Sequence, residues 1–322
     1  MFEVSRLTLG GGGLGQVWGE TTRAEAVATV KAAVDAGITL FDLAPGYGRG
    51  EAEAVIGEAF RGEPLDGLRF TSKCQLGSPP PGEIETRVRR RLERSLETMQ
   101  LERLDLYFLH SNIVPDGYRF PDPAITPEIQ ARFACTWSRY IEEVIPAFER
   151  LVAEGKIRAW GITGTGLPET ILDALEHETK PGVVQAISNC LDSPGGIRRY
   201  SEDPQPRNII ARAMRQGVGV LGIRAVQAGA LTDRIDRELP EDHPEMEDFR
   251  RAAPLREFAK ELGVSTARLA HAYALSMSGV DSVVLGVKNR EELAECVQAE
   301  AASPLSRDLI ERIDGLFGPG DR

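Results

Sequence analysis

Short apolar or β-branched runs alternate with stretches whose apolar positions recur at helical spacing, and the alternation persists along the whole chain. Runs at 7–10, 38–42, 69–73, 104–109, 158–162, 183–187, 218–223 and 282–285 read as strands. Helices are predicted over 23–36, 51–60, 83–99, 138–154, 168–176, 207–216, 247–277 with a break at Gly263, and 290–300. Strands that are each followed by a helix predict an α/β fold, a parallel (β/α)8 barrel of the TIM type. Glycines at 37, 155 and 217 follow predicted helices, where a left-handed C-cap is expected. One of the hydroxyls in Ser265-Thr266 is expected to cap the helix through His271. No linker divides the chain, so residues 1–322 are expected to form one domain. Two connections, 111–137 after the fourth strand and 225–247 after the seventh, are long enough to wall a pocket, and 304–317 reads as an extra C-terminal helix.

Composition narrows the function classes. No apolar run approaches the roughly 20 residues needed to span a bilayer, and Met1-Phe2-Glu3-Val4 opens no export signal, so a soluble, cytoplasmic protein is expected. The net charge of −11 disfavours nucleic acid as a partner. The four cysteines and four histidines show no metal-ligand spacing, so no metal is expected. Gly10 to Gly15 satisfies G-x-G-x-x-G, but helix signals resume only near Thr21, and a dinucleotide fingerprint would open its helix directly.

In an α/β barrel, reactive groups collect at the C-terminal ends of strands. Asp42 closes the second predicted strand, Tyr47 lies in the loop after it, Lys73 closes the third and His110 follows the fourth. The combination is chemically coherent. An ammonium beside a phenol favours phenolate, a carboxylate keeps the lysine charged, and an imidazole can orient a carbonyl oxygen. Trp18, near the end of the first strand, is a candidate for the substrate pocket.

These residues resemble the aldo-keto reductase family. Phe41-Asp42-Leu43-Ala44-Pro45-Gly46-Tyr47-Gly48 is similar to its F-D-T-A-x-x-Y-G signature, and Thr71-Ser72-Lys73 and Leu109-His110 look like its T-x-K and L-H elements. The resemblance implies hydride transfer between a nicotinamide and a small-molecule carbonyl or alcohol, with Tyr47 as proton donor, Lys73 and Asp42 tuning it, and His110 holding the substrate oxygen. It also implies cofactor contacts. Thr163 and Gln185 would take the carboxamide, although Gly164 stands where the family has asparagine and Ile223 where many members stack an aromatic ring. Arg224, Gly229 and Leu231 fall in the segment that resembles the pyrophosphate loop, and Gly286, Lys288 and Glu292 in the one that resembles the adenosine-phosphate segment. Lys288 could pair a 2′-phosphate, which favours NADP(H) over NAD(H). Cys296 replaces the usual asparagine near adenine. Two rivals stand beside this reading: a nucleotide-binding regulatory module resembling potassium-channel β subunits, and a barrel lyase or isomerase using Lys73 as a Schiff base.

Overall fold

In the computed structural model, which describes residues 2–317, the predicted strands are β1 (Leu7–Gly10), β2 (Leu40–Asp42), β3 (Arg69–Cys74), β4 (Leu104–Leu109), β5 (Ile157–Gly164), β6 (Val183–Ile187), β7 (Gly219–Ile223) and β8 (Ser282–Leu285). Every strand pairs in parallel with its sequence neighbour, and β1 pairs with β8 through Leu7 with Val283 and Leu9 with Leu285, closing the barrel. This is the (β/α)8 fold the alternation predicts. Met1 and 318–322, which the expected single domain includes, lie outside the described residues.

Period 2 along the strands sorts side chains into layers. Leu40, Leu106, Phe108, Val183 and Leu221 form one buried apolar cluster, while the alternate positions Phe41 and Tyr107 belong to the larger cluster with Val55, Phe148 and Trp160 that the surrounding helices complete. Asp42 is two residues beyond Leu40, and His110 two beyond Phe108. Both therefore continue the first row of side chains past the apolar plug to the C-terminal mouth.

Local punctuation follows backbone chemistry. Thr22 and Ser265 cap the helices Arg23–Asp35 and Thr266–Ser276, each accepting a backbone N–H at 3.1 Å. Gly37, Gly155 and Gly217 all adopt positive φ. The glycine run at 10–15 opens one helical turn, Gly11–Leu14, directly after β1, which corrects the expectation that helix begins near Thr21. Its purpose is close packing: a Cβ at Gly10 would sit 2.2 Å from the Leu285 carbonyl oxygen and one at Gly13 1.9 Å from that of Val287. No side chain fits where the first strand meets the last.

Other departures have local causes. The predicted helix 247–277 is three helices, Pro244–Arg251, Ala253–Glu261 and Thr266–Ser276, because Pro254 starts a new helix and Gly263 ends it. The predicted helix 138–154 consists of a short turn, a wider turn over Tyr140–Val144 and Ile145–Ala153, with Pro146 in the first turn of the last. The connection 111–137 is not bare loop. It holds the paired strands Asn112–Val114 and Ala134–Thr136 and the helix Pro127–Phe133. The extra C-terminal helix spans Arg307–Gly315, and among the described residues no helix is long and apolar enough to cross a membrane.

Candidate active site

The Lys73 ammonium and the Asp42 carboxylate meet at 2.6 Å with both side chains buried. Lys73 also donates to the Leu43 carbonyl at 2.9 Å, and the other Asp42 oxygen accepts from Thr71 Oγ1 and Gln185 Nε2, each at 2.8 Å. The adjacent loop delivers the phenol. Gly48, Arg49 and Gly50 all take positive φ in the tight turn that Tyr47 opens, and a Cβ at Gly48 would approach the Gly15 carbonyl oxygen to 2.6 Å, so the turn fixes the ring from behind. Lys73 Nζ lies 4.8 Å from the Tyr47 ring centre, and the His110 ring stands edge-on to it at 6.4 Å and 81°.

Charge states follow from this packing. Burial raises the Tyr47 phenol above its ordinary range and outweighs the lowering by Lys73, so the phenol holds its proton at neutral pH. The sequence suggests phenolate, and desolvation reverses that. For Lys73, burial works against the charge, but Asp42 and Tyr47 overcome it and hold the ammonium above its usual value. Burial first and then the positive charge of Lys73 push His110 down to about 4, leaving a neutral imidazole.

Asp42, Tyr47 and His110 line a cavity of about 640 Å3 together with Thr163, Gln185, Arg224, Gly229, Gly286, Lys288 and Glu292. Among the residues expected at the site, two do not line the cavity: Lys73, buried against Asp42, and Leu231. The Leu231 side chain is fully buried with Leu255, Phe258 and Tyr273, and its N–H is given to the Val226 carbonyl. Arg224 lines the cavity, yet its guanidinium is ion-paired to buried Glu245 at 2.6 Å and bonded to Gln227 at 2.7 Å. Lys288 is held between Asp236 and Glu292, and Glu292 also accepts the Lys288 backbone N–H at 2.8 Å. Trp18 lines the cavity near Gly12 and Gly286, where added Cβ atoms would lie 2.4 and 3.2 Å from the indole.

The cavity also exposes residues that sequence reasoning missed. Gln75 and Asn112 lie two positions beyond Lys73 and His110, and the strand period could have flagged them. Phe133, Arg199, His271 and Asp236 come from distant segments with no local signal. Cys296, opposite His271 at 3.6 Å, is one of four buried free thiols. Among the described residues no group of three or more His, Cys, Asp or Glu is placed to hold a metal ion.

A closed parallel barrel with a buried Lys-Asp pair, a phenol and an imidazole at the strand C-termini defines the class of barrel oxidoreductases. The chain belongs to the aldo/keto reductase family, whose model matches residues 6–317. It is 28% identical to an L-galactose dehydrogenase of Arabidopsis thaliana over 98% of this chain and 92% of that protein. It is 24% identical to a putative voltage-gated potassium channel subunit beta of Schizosaccharomyces pombe over 89% of this chain and 83% of that one. Among solved structures, it resembles an aldo-keto reductase from Klebsiella pneumoniae in complex with NADPH, with a TM-score of 0.67, 23% identity and coverage of 99% and 93% of the two chains.

Proposed function

We propose that the protein is an NADP(H)-dependent oxidoreductase that moves a hydride between nicotinamide and the carbonyl or alcohol of a small molecule, with Tyr47 as general acid and base. The observation that carries this reading is a protonated phenol and a neutral imidazole lining one cavity, with a buried ammonium 4.8 Å from the phenol ring centre. When bound, the cofactor supplies the hydride. In reduction Tyr47 gives its hydroxyl proton to the carbonyl oxygen as the carbon accepts hydride, and the phenolate left behind faces the Lys73 charge. Asp42 keeps that ammonium in place, and His110 donates a neutral N–H to the same oxygen.

The residues present suit a nicotinamide dinucleotide. Gly229, with φ of +93°, and Gly286 leave cavity wall free of side chains, and Lys288 lines the same cavity. The NADPH complex of the similar Klebsiella protein supports the same group here. Thr163 and Gln185 would hold the carboxamide, with the Gln185 amide nitrogen shared with Asp42. Arg224 and Gly229 would line the pyrophosphate segment, Leu231 would act there through packing alone, and Gly286, Lys288 and Glu292 would hold the adenosine end.

A 2′-phosphate would compete with Asp236 and Glu292 for Lys288. Lys288→Met is expected to raise the Kd for NADPH by about tenfold and that for NADH by less than about twofold, measured by fluorescence titration. Equal losses would remove the argument for the phosphate.

Likeness to the potassium channel subunit favours a second reading, a nucleotide-binding regulatory module. Steady NADPH oxidation with a panel of aldehydes, ketones and sugars is the expected result. Tight NADPH binding with no turnover on any of them would favour the module. Borohydride trapping of a Lys73 adduct would instead support a Schiff-base enzyme.

A further inference from the structure

Near the segment that follows His110, where Asn112 pairs with Ala134, the cavity wall carries an arginine with no carboxylate partner among the described residues. Arg199 lines the cavity, exposed to solvent, with its guanidinium 4.4 Å over the ring of Phe133. Phe133 is buried against Phe120, with ring centres 5.2 Å apart, so the platform is fixed. The neighbouring Arg198 is used up in the fold, donating to the carbonyls of Tyr200, Ser201 and Glu202. Among the described residues Arg199 has neither a carboxylate nor a carbonyl partner.

Arg234 and Arg237, from the connection after β7, also line the cavity, the Arg237 guanidinium 5.8 Å from the Trp18 ring centre, while the cavity's other cations have acidic partners. Arg224 is paired with Glu245 and Lys288 with Asp236 and Glu292. Asp233 accepts from Thr266, Glu295 accepts from Ser265 and Asp42 is paired with Lys73, and none of these acids is bonded to Arg199. The neutral polar Gln75, Asn112 and Thr165 line the same cavity, Asn112 pairing with Ala134 next to Phe133, and none of their side chains makes a hydrogen bond within the described chain. Asn112 belongs to the segment that follows His110, which ties this wall to the reacting end.

A guanidinium held flat on an aromatic face keeps its edge N–H groups for a planar anion. One stacked guanidinium at this part of the wall matches a monoanion better than a phosphate dianion. The protein as a whole carries −11, so anions come only where a local cation receives them. We infer that the substrate is a carboxylate-bearing carbonyl compound or the corresponding hydroxy acid, with Arg199 receiving the carboxylate and Gln75, Asn112 and Thr165 its uncharged polar groups. This rests on the carbonyl-reductase reading of the cavity.

Matched pairs test it: butanal against 4-oxobutanoate, and D-glucose against D-glucuronate, reduced by the NADPH-loaded enzyme. In the native enzyme kcat/KM is expected to favour the anionic partner by about tenfold, the lower range for a partly screened charged hydrogen bond. Arg199→Met is expected to abolish that preference and leave the neutral partners within about twofold, while Arg199→Lys restores part of it. Equal kcat/KM for both partners, or an equal loss for both in Arg199→Met, overturns the inference while leaving the oxidoreductase reading intact. Succinate titrated calorimetrically into the NADP-loaded protein gives a readout free of turnover. Binding that Arg199→Met removes supports the inference even if no carbonyl is reduced, whereas absent or unchanged binding sinks it.

Discussion

Tyr47→Phe is expected to lower the rate of carbonyl reduction by about 10³-fold, within the range that a positioned general acid contributes, while changing the NADPH dissociation constant by less than about twofold. The substitution removes one hydroxyl and leaves the ring, which is held by the Gly48 turn and stands edge-on to His110. No other acid is ready to replace it. His110 is driven to about 4 and is neutral at working pH, and Lys73 is tied to Asp42 and the Leu43 carbonyl. The pH profile carries the same signature. Because burial holds the Tyr47 phenol above its ordinary value of roughly 10, reduction stays flat through neutral pH and falls only as pH rises through the phenol's titration, while alcohol oxidation rises over the same interval. Stopped-flow reduction rates with a fluorescence Kd measure both quantities. A variant that retains a third of the native rate would give the proton to water or to another group.

The barrel was legible because its signal is repetitive. Each apolar strand run is followed by a helical stretch, so single boundaries can slip by a residue or two without disturbing the count. What the pattern hid was structure too short or too compensated to show a period: three-residue strands inside 111–137, and the proline restarts at Pro146 and Pro254. The four residues of the reacting end could be read because each lies at or just beyond a strand end. Their charge states could not. A sequence shows that an ammonium follows a phenol, but whether desolvation outweighs it depends on how completely the packed barrel removes water, and for Tyr47 it does. The same limit applies to Arg224 and Lys288. Their positions suggest phosphate contacts, whereas the acids that hold them, Glu245 and Asp236, come from the long connection after β7 and share no local pattern with them. Arg199 was invisible for a related reason, since its platform Phe133 comes from a different connection.

Lys73→Met should cost both fold and chemistry, and the two losses can be separated. The substitution keeps the side chain out to Cε but leaves the Asp42 carboxylate buried with only the neutral donors Thr71 and Gln185. Breaking a buried ion pair from one side typically costs about 3–5 kcal/mol. For a chain of this length that lowers Tm by about 5 °C, at the lower end because two hydrogen bonds to Asp42 survive. Catalysis falls as well, since the phenolate left after proton transfer no longer faces a positive charge. Adding Asp42→Asn removes the orphaned charge, so the double variant is expected to recover most of the lost Tm and none of the lost turnover. Calorimetry and initial rates on the two variants read the two effects independently. If Lys73→Met leaves Tm within about 1 °C of native, a shift of well under 1 kcal/mol at this size, the pair contributes nothing net to the fold. If the double variant instead regains activity with its stability, the ammonium is only a structural counter-ion, and the proton transfer assigned to Tyr47 does not depend on it.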